Sequence, residues 1–170
     1  MPEQQRLSRK FYTRDVLRVA PELLGKYLVL ENNGQIERYI ISEVEAYNGT
    51  EDRACHASKG RTGRTEVMFE EGGHLYIYLI YGIYYMLNIV TSVRDHPQAV
   101  LIRGLKEIPG PGRLTKKLGI DSSYNFESLV TSGRIWLEKG MEVKEFFTGP
   151  RIGIDYAGEP WISKQWRFYL

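Results

Sequence analysis

The chain predicts an α+β fold: a single compact domain with a curved, mostly antiparallel sheet, flanking helices and a protruding β-hairpin. Three observations carry this. Strand-like apolar runs come in pairs joined by tight-turn dipeptides, Asn33-Gly34 and Tyr81-Gly82. No long helical stretch alternates with them, which disfavours a parallel sheet. The 170 residues contain no repeat, linker or low-complexity tract, so one domain spans 1–170.

The elements follow in order. Residues 1–10 are polar and charged and read as a flexible N-terminal segment. From Thr13, apolar residues at Val16, Leu17, Ala20, Leu23 and Leu24 have helical spacing, with Thr13 as N-cap and Gly25 as C-cap. Pro21 kinks this helix or opens a second one. Lys26–Glu31 and Gln35–Ala46 are strands. On the second, Tyr39, Ile41, Glu43 and Glu45 share one face, and Ile36, Ile40, Val44 and Ala46 share the other. Residues 50–57 read as helical turns and residues 58–65 as a basic loop. Leu75–Ile80 and Ile83–Val90 are strands with Tyr81 at their turn. Ala99–Leu105 is a buried-type strand. A Gly-rich loop at 110–112 opens a helix that ends at Gly119. Strands follow at Gly133–Glu138 and Met141–Phe147. Trp161–Leu170 is a helical turn followed by a terminal strand.

Composition narrows the function classes. The single cysteine excludes an internal disulfide and a multi-cysteine zinc site. There is no 18-residue apolar run and no apolar signal segment, so neither membrane attachment nor secretion is expected. A net charge of +2 means that a nucleic-acid partner needs clustered basic residues. Lys59, Arg61 and Arg64 form one cluster, and Arg113 with Lys116 and Lys117 another. Each is equally readable as a solvated surface.

The stretch from Ile40 to His56 carries the chemistry. Glu43 and Glu45, two residues apart on a strand, share a face. One of them activates a water, or both pair with arginines such as Arg103 and Arg38. Arg103 interrupts an apolar strand and calls for a carboxylate. Asn88, also inside an apolar strand, needs a hydrogen-bond partner. His56 is a packed residue or part of a site. Tyr47, Tyr78, Tyr81 and Tyr84 form a base-stacking platform or an ordinary sheet face. A bulky aromatic at a turn, such as Tyr81, suits a wedge or an interface contact better than packing.

The run EVEAYNGTEDRACHAS, then MF, LYIYLIYGIYYMLNIV, AVLIRGLKE, GPGRLTKKLGI, GPRIGI and a terminal WRFYL resembles the alkyladenine DNA glycosylase family. These are the mammalian-type 3-methyladenine DNA glycosylases. The resemblance covers about Phe11–Leu170, with the blocks in the family's order. It implies a monofunctional purine DNA glycosylase of base-excision repair, which flips alkylated or deaminated purines out of duplex DNA and leaves an abasic site. It implies Glu45 as the base that activates water, supported by Arg103 and the carbonyl of Ile152. Tyr47, Ala54, Cys55, His56, Tyr78 and Asn88 would form the base pocket, and Tyr81 the intercalating wedge. Lys59, Arg61, Arg64, Tyr84 and Arg113 would meet the DNA backbone. No cofactor or metal is implied. The partner is double-stranded DNA containing damaged purines, the protein is expected to be a monomer, and its location cytoplasmic, or nuclear in a eukaryote. Glu43 receives no role. The alternative is a non-catalytic nucleic-acid-binding module that keeps the aromatic platform.

Overall fold

The computed structural model describes residues 5–170. Its framework is a curled sheet built from β1 (Tyr27–Asn32), β2 (Gln35–Tyr47), β3 (Leu75–Ile80), β4 (Tyr84–Thr91), β5 (Gln98–Leu105), β6 (Ile108–Pro109), β7 (Ile135–Glu138), β8 (Phe147–Gly149) and β9 (Arg167–Tyr169). Its main path runs β3-β4-β5-β2-β1-β7; β6 pairs with β5, while β9 pairs with both β2 and β8. All of these pairings are antiparallel. β2 is the organising strand. Its first half pairs with β1, and its second half lies between β5 and β9.

Among the described residues, three short α-helices flank the sheet. α1 (Arg9–Tyr12) precedes α2 (Val16–Leu23), which buries Val16, Val19, Ala20 and Leu23 at the spacing of a single helical stripe. The N-cap of α2 is Asp15, whose side chain accepts from the Leu17 amide, and the C-cap is Leu24; the caps expected at Thr13 and Gly25 each lie outside them. α3 (Pro111–Leu118) ends at Gly119 in the left-handed region, as expected; it begins at Pro111, inside the stretch 110–112 expected to be a loop, because proline suits the first helical position. The main core packs α2 and α3 against Leu75, Ile77, Leu87, Ile89, Val100 and Ile102.

Three expectations are corrected. Of the segment 1–10, residues 1–4 lie outside the described residues, and Arg6–Lys10 are not loose. Arg6 donates to the carbonyls of Leu129 and Ser132, and Leu7 is buried. The strand expected at Met141–Phe147 starts only at Phe147. Gly140 presses so closely on the Gly25 carbonyl that a Cβ would lie 1.9 Å from it. The chain therefore crosses β1's entry instead of running beside a strand.

The third correction concerns β2. Ile41 does not share a face with Glu43 and Glu45; it joins Val44 and Ala46 in the main core. The register explains this. Ile41 faces Leu105, Glu43 faces Gly104, and Val44 faces Ile102. Ser42 is thus an extra residue on β2 and Arg103 an extra residue on β5. The two adjacent bulges cancel, but between them the alternation of β2 slips by one. The carboxylates leave the apolar face that sequence alternation assigned to them.

Candidate active site

On the sheet face opposite the main core, one row of residues crosses five strands. Tyr76 is opposite Asn88, Asn88 opposite Leu101, Leu101 opposite Glu45, and Glu45 opposite Arg167. Two strand spacings separate Asn88 from Glu45, roughly 10 Å. The neighbouring residues of this face, Tyr78 and Arg103, follow from alternation along β3 and β5. A cleft of about 840 Å³ opens over the face, with a recess of about 40 Å³ beside it.

Glu45 is fully buried, behind Tyr47, Arg103 and Ile152, which line the cleft. Its Oε1 accepts from the Tyr47 hydroxyl at 2.9 Å, and its Oε2 from the Ile152 amide at 2.7 Å. Arg103 Nη1 stands 3.6 Å from Oε2, while Arg103 Nε donates to Glu43 Oε1 at 3.1 Å. The alternative partner for the pair, Arg38, is bound to Glu138 instead. Burial pushes the Glu45 carboxyl above its ordinary value, against the opposing pull of Arg103, the Ile152 amide, the Tyr47 hydroxyl and Arg151. A carboxylate raised in this way is a stronger base than one in water.

Tyr47, His56 and Tyr78 line both the cleft and the recess. The His56 ring is 4.6 Å from the Tyr78 ring, and His56 Nδ1 lies 2.7 Å from the Tyr76 hydroxyl. Burial, with Arg64 and Lys59 nearby, pulls His56 down to about 4, so the imidazole is neutral near pH 7. Ala54 and Cys55 also line both cavities. Burial raises the Cys55 thiol to about 12, which leaves it unreactive. Asn88 lines the recess, and its Nδ2 donates to the Tyr76 carbonyl at 3.2 Å.

At the turn between β3 and β4, the Ile83 amide donates to the Ile80 carbonyl. Tyr81 and Gly82 are both left-handed, with φ of +55° and +65°. Tyr81 is 83% exposed and lines the cleft mouth with Tyr84. Gly112, at the start of α3, lets the Tyr84 ring pack close; a Cβ there would fall 2.7 Å from it. Lys59, Arg64 and Arg113 line the cleft. Arg61 is not among its lining residues. It pairs with Glu66 and Asp95 and lies over the Phe69 ring.

Sequence reasoning missed several members. Arg53 and Tyr156 line the cleft, and the Tyr156 hydroxyl donates to the Ala54 carbonyl at 3.2 Å. Asp52 and Arg151 form a fully buried pair at 2.6 Å. Arg151 sits between Pro150 and Ile152, and an arginine in such a setting calls for a carboxylate, as Arg103 did. Among the described residues, no group of three or more His, Cys, Asp or Glu could hold a metal ion. None of the described helices is long and apolar enough to cross a membrane.

The family model for methylpurine-DNA glycosylase matches residues 10–109 and 106–170. The chain is 43% identical to a protein of Methanocella arvoryzae, over 96% of this chain and 91% of the relative. It is 45% identical to one of Legionella pneumophila strain Corby (98% and 94%) and 47% identical to one of Wolbachia pipientis (95% and 88%). Each relative bears the name "Putative 3-methyladenine DNA glycosylase". The motifs of the sequence and these near-full-length matches agree: the chain belongs to the methylpurine-DNA glycosylase family.

Proposed function

We propose that this protein is a monofunctional purine DNA glycosylase of base-excision repair, acting on alkylated or deaminated purines in duplex DNA. The observation that carries the reading is Glu45: a buried carboxylate held by Tyr47 and Ile152 and beside Arg103, three residues that line a cleft walled by aromatic rings. In the proposed reaction the damaged nucleotide rotates out of the helix into this cleft, at a cost of a few kcal/mol that is smallest for damaged bases. Tyr81 enters the stack in its place. Tyr47, His56 and Tyr78 enclose the base, Ala54, Cys55 and His56 present their backbone to its edge, and Asn88 lines the pocket floor.

N-alkylation makes the purine cationic. A neutral His56 between tyrosines favours that charge, by roughly 0.5–2 kcal/mol per aromatic face. The C1′–N bond breaks; its electron pair neutralises an alkylated base, whereas a deaminated base takes up a proton from water as it leaves. Water, held by Glu45 with Arg103 and the Ile152 carbonyl, bonds to C1′ and gives its proton to Glu45. The products are free base and an abasic site. Glu45 also stabilises the developing positive charge on the sugar. Lys59, Arg61, Arg64, Tyr84 and Arg113 are the proposed backbone contacts. Arg61 would have to exchange its partners Glu66 and Asp95 for phosphate. The substrate is DNA, and the enzyme acts as a monomer in the compartment that holds it.

The test is release of free base from a duplex with one hypoxanthine and from a methylated duplex. Glu45→Gln should still bind the duplex and release base at least about 100-fold more slowly. Excision by this variant at the wild-type rate would overturn the assignment.

A further inference from the structure

Glu43 occupies a position that the proposed reaction does not explain. It shares a face with Glu45 as its i,i+2 neighbour, the bulge at Ser42 turns that face toward the cleft, and it is only partly buried. Its Oε1 accepts from Arg103 Nε at 3.1 Å and stands 3.7 Å from Arg167 Nη1. Arg167 is itself the cross-strand partner of Glu45. Arg103 therefore divides its guanidinium between two carboxylates. It makes a hydrogen bond to Glu43, and only a 3.6 Å contact, beyond direct hydrogen-bond range, to Glu45.

We propose that Glu43 is a positioning residue, which tethers Arg103 so that its guanidinium stands beside the Glu45 carboxylate without closing on it. This inference rests on Glu45 being the general base. An arginine that forked onto Glu45 in two hydrogen bonds would make the strongest ion pair available to a carboxylate. It would hold Glu45 as an anion and weaken it as a base. Geometry favours such closure once Glu43 is neutral, because Arg103 then loses its nearer anionic partner. The close fit at Gly104 keeps the two strands in this arrangement. A Cβ there would lie 3.3 Å from Ser42 Oγ and 3.4 Å from Glu43 Cβ. The other groups that act on Glu45 are Tyr47 on β2, Arg151 in the segment after β8, Tyr78 on β3 and Tyr156. None of them touches Glu43 among the bonds described above. A change at Glu43 therefore reaches Glu45 through Arg103 and through loss of a like charge, and both effects lower the proton affinity of Glu45.

The experiment is a single-turnover pH profile on a duplex carrying one 7-methylguanine, whose leaving group is already cationic and needs no proton. Wild type, Glu43→Gln, Glu43→Asp and Glu45→Gln are compared below their unfolding midpoints. Glu43→Gln should move the acid limb about one pH unit lower and lower the plateau rate. Glu43→Asp keeps the charge and should stay close to wild type. A limb that Glu43→Gln leaves unmoved, beside an inactive Glu45→Gln, overturns the role of Glu43 and leaves that of Glu45 standing. A Glu45→Gln enzyme with the wild-type rate overturns both.

Discussion

Arg151 and Asp52 form a fully buried two-pronged ion pair, Nη1 to Oδ2 at 2.6 Å and Nη2 to Oδ1 at 3.0 Å. The pair ties three segments together. Arg151 also donates to the Ala46 carbonyl, next to Glu45, and lies 5.0 Å from the Tyr47 ring and 4.9 Å from the Trp166 ring. Asp52 accepts from the amides of Asn48 and Ala54 and so shapes the loop that leads to His56. Asp52→Asn leaves a buried guanidinium without its counter-charge and should cost about 3–5 kcal/mol of stability. Adding Arg151→Met should recover part of that loss. Urea unfolding of the single and double variants measures both. A double variant less stable than Asp52→Asn would contradict this account.

His56 predicts a pH dependence of stability. Its folded value is lowered from 6.5 to about 4. Below pH 6.5 the unfolded chain takes up the proton while the folded protein keeps the ring neutral. The stability linked to this residue is therefore whole above pH 6.5 and drains away as the pH falls toward 4. Glu45 works in the opposite sense: its folded value is raised, so falling pH relieves its burial cost. In His56→Asn the unfolding free energy should fall less steeply between pH 6.5 and 4 than in wild type. Parallel curves for the two proteins would sink the idea.

Tyr81 holds a left-handed backbone while 83% exposed, a conformation that costs a non-glycine residue about 1–2 kcal/mol. Nothing in the fold repays that locally. Tyr81→Asn creates an Asn-Gly turn, which favours this geometry. The variant should be more stable by up to about 1 kcal/mol and bind a hypoxanthine duplex more weakly. Thermal unfolding and a binding titration check the two halves, and undiminished affinity would remove the wedge role.

Much of the fold was legible because tight turns and caps are local. Asn33-Gly34, Tyr81-Gly82 and Gly119 announced their elements through backbone preferences alone. Glu45 and Arg103 were legible because charge in an apolar strand needs a partner. The bulges at Ser42 and Arg103 were not, since alternation carries no mark of where a ladder slips; only pairing with the other strand defines it. The Asp52–Arg151 pair was equally hidden, because its members are 99 positions apart in the chain. The order of Arg6–Lys10 depends on carbonyls of Leu129 and Ser132, which local polarity cannot disclose.

The cancelling bulges couple the lengths of two distant stretches of chain. Losing Ser42 alone would leave Ile41 and Val44 facing the core and Glu43 and Glu45 facing the cleft, but the bulge at Arg103 would then have no counterpart across the ladder. Losing Arg103 alone would leave the bulge at Ser42 uncompensated in the same way. Losing both would restore an unbroken ladder, at the expense of the guanidinium beside Glu45. For an evolving lineage, a deletion at Ser42 alters the ladder and spares the guanidinium, whereas a deletion at Arg103, single or double, keeps the fold and abandons the chemistry.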